Sequence, residues 1–240
     1  MIDYSKHTVE EFQAGQLLLI DKPLTWTSFD AVAKVRYAIR KKFDLKKLKV
    51  GHAGTLDPLA TGLLIICTGK FTKRIADLTL QNKTYTGTFT LGSTTASYDL
   101  ESKTENHHST DHITDEMVNV AVSKMRGAIM QMPPIFSAKK VNGQRAYIAA
   151  RKGKEVKLEA RPVIISKFEV DNSSLPLVKF EIECSKGTYI RSIARDLGEA
   201  LECGAYLSEL CRTKIGDYSV EKAINPVDFQ RVVQGVQEDV

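Results

Sequence analysis

The sequence predicts an α+β fold around a largely antiparallel sheet. Runs with the two-residue period of strands and runs with the period of about 3.6 residues of helices both occur. They are mixed without the regular strand–helix alternation of a parallel sheet. No internal repeat signals a solenoid or propeller. The chain has 240 residues, 42% hydrophobic and 26% charged. Those are the proportions of a folded, soluble protein long enough to bury a core without staples.

Taken in order, Gln16–Ile20, with its apolar run Leu17–Ile20, reads as a buried strand, ended by Asp21-Lys22-Pro23, because proline removes a donor and restricts the residue before it. Thr27 or Ser28 then caps a helix reaching about Lys42. Phe29, Val32, Val35, Ile39 and Phe43 keep helical spacing on it, and the other face is basic. Val50 to Gly62 is loop-like, and Leu63–Cys67 is a second buried strand. Lys73 to Leu80 suits a short helix. Thr84–Leu91 alternates threonines with Tyr85, Gly87, Phe89 and Leu91, the pattern of a half-buried strand. Ser93 to Ile113 is polar and reads as a mobile loop. Thr114 to Arg126 is an amphipathic helix with Asp115 and Glu116 in its first turn, favourable against the helix dipole. Val178, Phe180, Ile182 and Cys184 alternate with charged residues in another strand, and Thr188 to Leu201 reads as a helix closed by Gly204.

Charge is informative by location. The formal net charge is +5, yet Lys34–Lys49 carries eight basic residues against Asp44, and Lys139–Arg161 carries eight against Glu155 and Glu159. The remainder is acidic. Two concentrated basic blocks suit a polyanion partner, although a lysine-rich face can also be simply solvated. The apolar content excludes disorder as the main state. No apolar run approaches the roughly 20 residues of a membrane helix. The N-terminus MIDYSKHTVEEF has no apolar signal region. The four cysteines, Cys67, Cys184, Cys203 and Cys211, form no CxxC pair, so a reducing cytoplasm is expected. Three of the five histidines lie in Asn106–His112 without a thiolate nearby, which reads as a polar loop and not as a metal site.

The densest segment is Gly51-His52-Ala53-Gly54-Thr55-Leu56-Asp57-Pro58-Leu59-Ala60-Thr61-Gly62. Three glycines and a proline imply an unusual backbone path. Asp57 precedes proline, so its backbone is expected to be extended and its side chain held in one direction. From spacing alone a plain Asp-Pro turn remains open. A phosphate-binding loop lacks both of its usual glycine patterns here.

GHAGTLDPLATGLLIICTGKFTK, residues 51–73, resembles the signature of the TruB-type tRNA pseudouridine synthases. Other segments resemble that family in the same order. They are Leu19-Ile20-Asp21-Lys22-Pro23, Lys83-Thr84-Tyr85, the thumb-like Pro133–Lys140, and Cys184-Ser185-Lys186-Gly187-Thr188-Tyr189-Ile190-Arg191. The resemblance runs from about Gln16 to Arg212. It implies a pseudouridine-synthase-like catalytic domain over residues 1–212, a sheet flanked by helices, and a thumb loop at about 131–161. Residues 213–240 are expected to be a short tail without the RNA-binding PUA domain that many bacterial members carry.

The resemblance also implies roles. Asp57 would be the catalytic carboxylate and Arg191 would pair with it. Tyr85 would lie against the target base. Tyr189 and Leu210 would line the pocket, and His52 would contact the T loop and help fill the space left by the flipped base. Lys22 and Pro23 would support the site, and Lys140 would contact RNA from the thumb. The implied reaction turns the uridine at position 55 of the tRNA T loop into pseudouridine. It oxidises nothing and moves no phosphoryl group, so no cofactor or metal is required. The T arm of tRNA is the expected partner, with no membrane involved, and a monomer is the expected form. After Leu91-Gly92 the family usually has an acidic, threonine-rich loop; Ser93–Asp99 here keeps Asp99 but has Ala96 at the other acidic position. Two rivals stay open. A pure RNA chaperone would leave the uridine unchanged. A glycosidase-like hydrolase would release free uracil, but it needs a second carboxylate, and none stands in a recognisable motif.

Overall fold

The structure, a computed structural model, describes residues 4–136, 140–141, 144–145 and 158–235. In chain order the elements are α1 (Val9–Ala14), β1 (Leu17–Lys22), α2 (Ser28–Lys42), β2 (Val50–His52), β3 (Ala60–Thr68), α3 (Ile75–Leu80), β4 (Lys83–Leu91), β5 (Thr94–Thr95), β6 (Thr104–Glu105), α4 (Asp115–Lys124), β7 (Gly127–Gln131), β8 (Lys140–Val141), β9 (Gln144–Arg145), β10 (Arg161–Ser174), β11 (Leu177–Cys184), α5 (Ile190–Ala200), β12 (Ala205–Ile215), β13 (Tyr218–Ser219) and α6 (Pro226–Gln234). This is the mixed fold with mostly antiparallel strands that the patterning predicts. The chain divides into two compact units, Met1–Thr84 with Cys211–Val240, and Tyr85–Leu210. Strands β4 and β12 each have residues in both.

In the first unit β1 pairs antiparallel with β3, Leu18 opposite Ile66 and Ile20 opposite Leu64. These four pack with Val32, Val35 and Ile39 of α2 and Phe229 and Val233 of α6. The alternate residues Leu19, Leu63, Ile65 and Cys67 pack with Leu78 and Ile215. Both faces of the pair are therefore buried, which is why the two strands read as unbroken apolar runs. The segment expected as a tail contributes α6 to this core. Thr27 caps α2 through a full capping box with Asp30, as its sequence predicts. Phe29 departs from the predicted stripe. It is 67% exposed, because the residues that face the core are Ala31, Val32, Val35, Ala38 and Ile39, a stripe centred about 120° round the helix from position 29 at about 100° per residue.

In the second unit the strand order is β12-β4-β11-β10-β7. Phe89 of β4 stacks on Phe180 of β11 at 4.1 Å and meets Phe168 of β10 edge-on. Ile193, Ala194 and Leu197 of α5 and Val118 and Val122 of α4 close the same core. The polar stretch after β4 forms more structure than a mobile loop. β5 pairs with β6, and Thr95, Ser97 and Asp99 are buried. Their polarity is satisfied locally: Thr95 Oγ1 and Ser97 Oγ donate to the Asp99 carbonyl at 2.7 and 3.1 Å, and Asp99 Oδ1 accepts from the Glu101 amide at 3.0 Å. Most of the second basic block lies outside the described residues.

Candidate active site

Within the first unit the Asp57 loop is anchored at several points. Its entry is β2, which pairs with β3 so that His52 stands opposite Ile66, and the Ala53 amide donates to Ile65 O at 2.9 Å. Its exit is β3 itself. Between them the Ala60 amide donates to Asp57 O at 3.1 Å, closing a tight turn. Leu56 is buried, and its amide donates to Ser28 Oγ at 2.8 Å while that hydroxyl donates to Leu56 O at 3.2 Å. The first residue of α2 thus fixes the residue immediately before the carboxylate.

Two buried cations complete the loop. The Lys22 ammonium donates to Trp26 O at 2.6 Å, Pro23 O at 2.9 Å and Pro58 O at 3.4 Å. Arg212 is 1% exposed and donates from Nε to Leu63 O at 2.8 Å, from Nη2 to Gly54 O at 3.1 Å and from Nη1 to Thr55 O at 3.4 Å. Burial pulls the Lys22 ammonium down to about 8, with the Asp57 charge opposing and the Arg212 charge reinforcing. Burial also holds the His52 imidazole below its ordinary range, with the Gly54 backbone opposing and the Arg212 charge reinforcing. Lys22, Pro23, His52 and Asp57 therefore belong to one network, in which a half-buried carboxylate stands in a field set by two cations whose hydrogen-bonding capacity goes to backbone carbonyls.

The other expected site residues belong to the second unit. Tyr85 and Leu210 are partly buried against its core. Tyr189 is the N-cap residue of α5. Its amide donates to Gln131 Oε1 at 2.8 Å and its carbonyl accepts from Gln131 Nε2 at 3.1 Å, and the Arg161 guanidinium lies 4.5 Å from its ring centroid. Arg191 is 5% exposed. It is ion-paired with the equally buried Asp99, Nε to Oδ2 at 3.5 Å, and donates to Ser97 O and Phe136 O. Lys140 lies on β8, opposite Arg145 of β9; its side chain lies outside the described residues, as does most of the expected thumb.

The comparisons with known proteins decide what this arrangement belongs to. Residues 40–190 match the family model described as TruB family pseudouridylate synthase (N terminal domain), and residues 191–239 match the one described as tRNA pseudouridylate synthase B C-terminal domain. The chain belongs to the TruB family of pseudouridylate synthases. Relatives named tRNA pseudouridine synthase B are 52% identical in Flavobacterium johnsoniae, covering 95% of this chain and 100% of that protein, and 52% identical in Phocaeicola vulgatus, covering 91% and 93%. Among solved structures, a chain of a Cbf5-Nop10-Gar1 complex superposes with a TM-score of 0.68 at 26% identity. A chain of an archaeal box H/ACA Nop10-Cbf5 complex superposes with 0.67 at 23%. The chain spans about three fifths of the length of these two solved chains, 62% and 60%.

Three residues that hold candidate site residues in place within their own units were not singled out by the sequence. Ser28 reads only as a helix cap. Asp99 reads as a loop acid and not as an ion-pair partner of Arg191. Arg212 marks only the end of the resemblance. No spacing marks it: the strand-like run Leu207–Ile215 carries two cations, Arg212 and Lys214, and only the burial of Arg212 against the exposure of Lys214 tells them apart, a burial that is costly unless the guanidinium is bonded.

Proposed function

We propose that the protein isomerises the T-loop uridine of tRNA, position 55, to pseudouridine in the cytoplasm, with Asp57 as the catalytic carboxylate. The observation that carries this reading is the 52% identity over the full length of a relative named tRNA pseudouridine synthase B. The described residues contain no helix long and apolar enough to cross a membrane.

The chemistry accounts for the residue types. The N1–C1′ bond breaks, the uracil turns, a C5–C1′ bond forms, the proton leaves C5 and N1 gains one, so atoms and electrons balance without a co-reactant. An ionised carboxylate at the sugar serves by attacking C1′ or by removing the C2′ proton. In either case its charge stabilises an electron-poor sugar. The Asp57 loop, anchored through Ser28, Lys22 and Arg212, suits a group that has to be held before the substrate arrives. Arg191 is assigned to pair with Asp57 and orient it through its planar fork. Tyr85 is assigned to stack on the extruded uracil. Tyr189 and Leu210 are assigned to line its pocket, and His52 to occupy the space it leaves. Lys22 and Pro23 support the loop, and Lys140 is assigned a phosphate contact. Extrusion costs a few kcal/mol, which stacking of about 1–3 kcal/mol per base and salt-sensitive phosphate contacts offset.

The test is chemical mapping of pseudouridine in an unmodified tRNA transcript incubated with the protein. One new pseudouridine, at position 55, is expected. An unchanged uridine with tight binding would point to a chaperone, and released uracil to a hydrolase.

A further inference from the structure

Phe29 occupies a place that the fold does not use. It stands in the first turn of α2, yet it is 67% exposed, and Leu24 in the turn before the helix is 53% exposed. Between them Thr25 has φ 70°, a left-handed conformation that is a genuine outlier for a β-branched residue and that clusters at functional sites. That segment is fastened to the Asp57 loop. The Thr25 amide donates to Pro58 O at 2.9 Å, Lys22 Nζ reaches the same carbonyl, and Ser28 Oγ is bonded to both backbone groups of Leu56. A strained turn with two large apolar side chains in water is therefore held against the loop that carries the carboxylate.

The outward side of α2 continues the pattern. Tyr37 is 52% exposed, two turns or about 12 Å beyond Phe29, and Lys41 Nζ lies 5.8 Å from its ring centroid. Arg40 and Lys41 are exposed on the same helix, within the block where eight basic residues face one acidic. Exposed rings and exposed cations on one helix suit a single-stranded nucleic acid, the rings taking bases and the cations phosphates. A protein partner with an apolar face would leave those cations without complement.

We propose that Phe29, with Leu24 near it, is a stacking platform for an unpaired nucleobase of the RNA beside the extruded uridine, and that the cations of α2 hold the phosphates of that strand. The identity of the RNA rests on the function proposed above; the platform itself does not.

The test uses the full chain and a T-arm hairpin with 2-aminopurine at each loop position flanking the target uridine. For the parent, fluorescence is expected to drop at one flanking position on binding. Phe29→Ala is expected to weaken binding about tenfold or more and abolish that drop, and Phe29→Trp to retain both. At saturating RNA the single-turnover rate of Phe29→Ala is expected to stay within about threefold of the parent, the mark of lost binding and not of lost chemistry. Parent-like affinity and quenching in Phe29→Ala would overturn the proposal. So would an RNA-free dimer of the parent that Phe29→Ala dissociates, because the ring would then serve a second copy. A parent that binds and quenches but makes no pseudouridine sinks the proposed reaction and keeps the platform. A parent that binds no hairpin sinks both.

Discussion

Lys22 is the residue where burial and charge compete most directly. Its ammonium is fully buried and depressed to about 8 from 10.5. Below pH 8 it is charged in both folded and unfolded chains, and the desolvation cost is present. Between about 8 and 10.5 the folded chain has released a proton that the unfolded chain keeps, so this group's contribution to stability rises with pH. Urea titrations of the parent and Lys22→Met across that window are therefore expected to diverge, the parent gaining about 1–3 kcal/mol relative to the variant. Parallel curves would mean that the three carbonyl acceptors keep the ammonium charged. Arg212 is the complementary case, valuable for its geometry. Arg212→Met removes the donors to Gly54, Thr55 and Leu63 and is expected to lower unfolding free energy by about 3 kcal/mol or more, since buried unsatisfied carbonyls cost about 1–3 kcal/mol each. A loss under about 1 kcal/mol would show that water or a rearranged loop replaces them.

At the scale of elements, α2 and β3 matter because the Asp57 loop hangs between them. Gly62 of β3 has φ 99°, and a Cβ there would come within 2.4 Å of the Arg212 carbonyl. Gly62→Ala is expected to cost about 2 kcal/mol or more, because both the conformation and the close strand approach require glycine. A denaturation midpoint equal to the parent's would contradict that. Thr27→Ala deletes the capping-box hydroxyl of α2 and is expected to cost about 1 kcal/mol by the same measurement; a neutral result would shift the weight of that helix start to Ser28. These elements also show what was legible. The β1 and β3 runs could be read because both faces are buried, and the Thr27 cap because it uses local chemistry. The exposed position of Phe29 could not be read, because helical spacing does not say which side a lone aromatic shares with the core. The structure after β4 was hidden because its stability comes from buried side-chain-to-backbone bonds at Thr95, Ser97 and Asp99, which look like loop composition in the sequence.

For the whole molecule, the sequence announces an α+β fold but not how the chain divides. The two units separate between Thr84 and Tyr85 and between Leu210 and Cys211, both inside strands, where no glycine, proline or charge run marks a boundary. Most of the expected site residues could be named because they stand in segments that resemble the family's, Leu210 being outside them, while Arg212 and Asp99 act through contacts made across large sequence separations. The proposed function rests on one carboxylate, Asp57, acting on a sugar. The most direct measurement uses tRNA transcript tritiated at C5 of its uridines, because C5 exchanges its hydrogen for the new bond to C1′. The parent is expected to release one tritium per tRNA, while Asp57→Asn releases none and binds the transcript within a few-fold of the parent. Tritium release that persists in Asp57→Asn would contradict the assignment of Asp57 as the catalytic group.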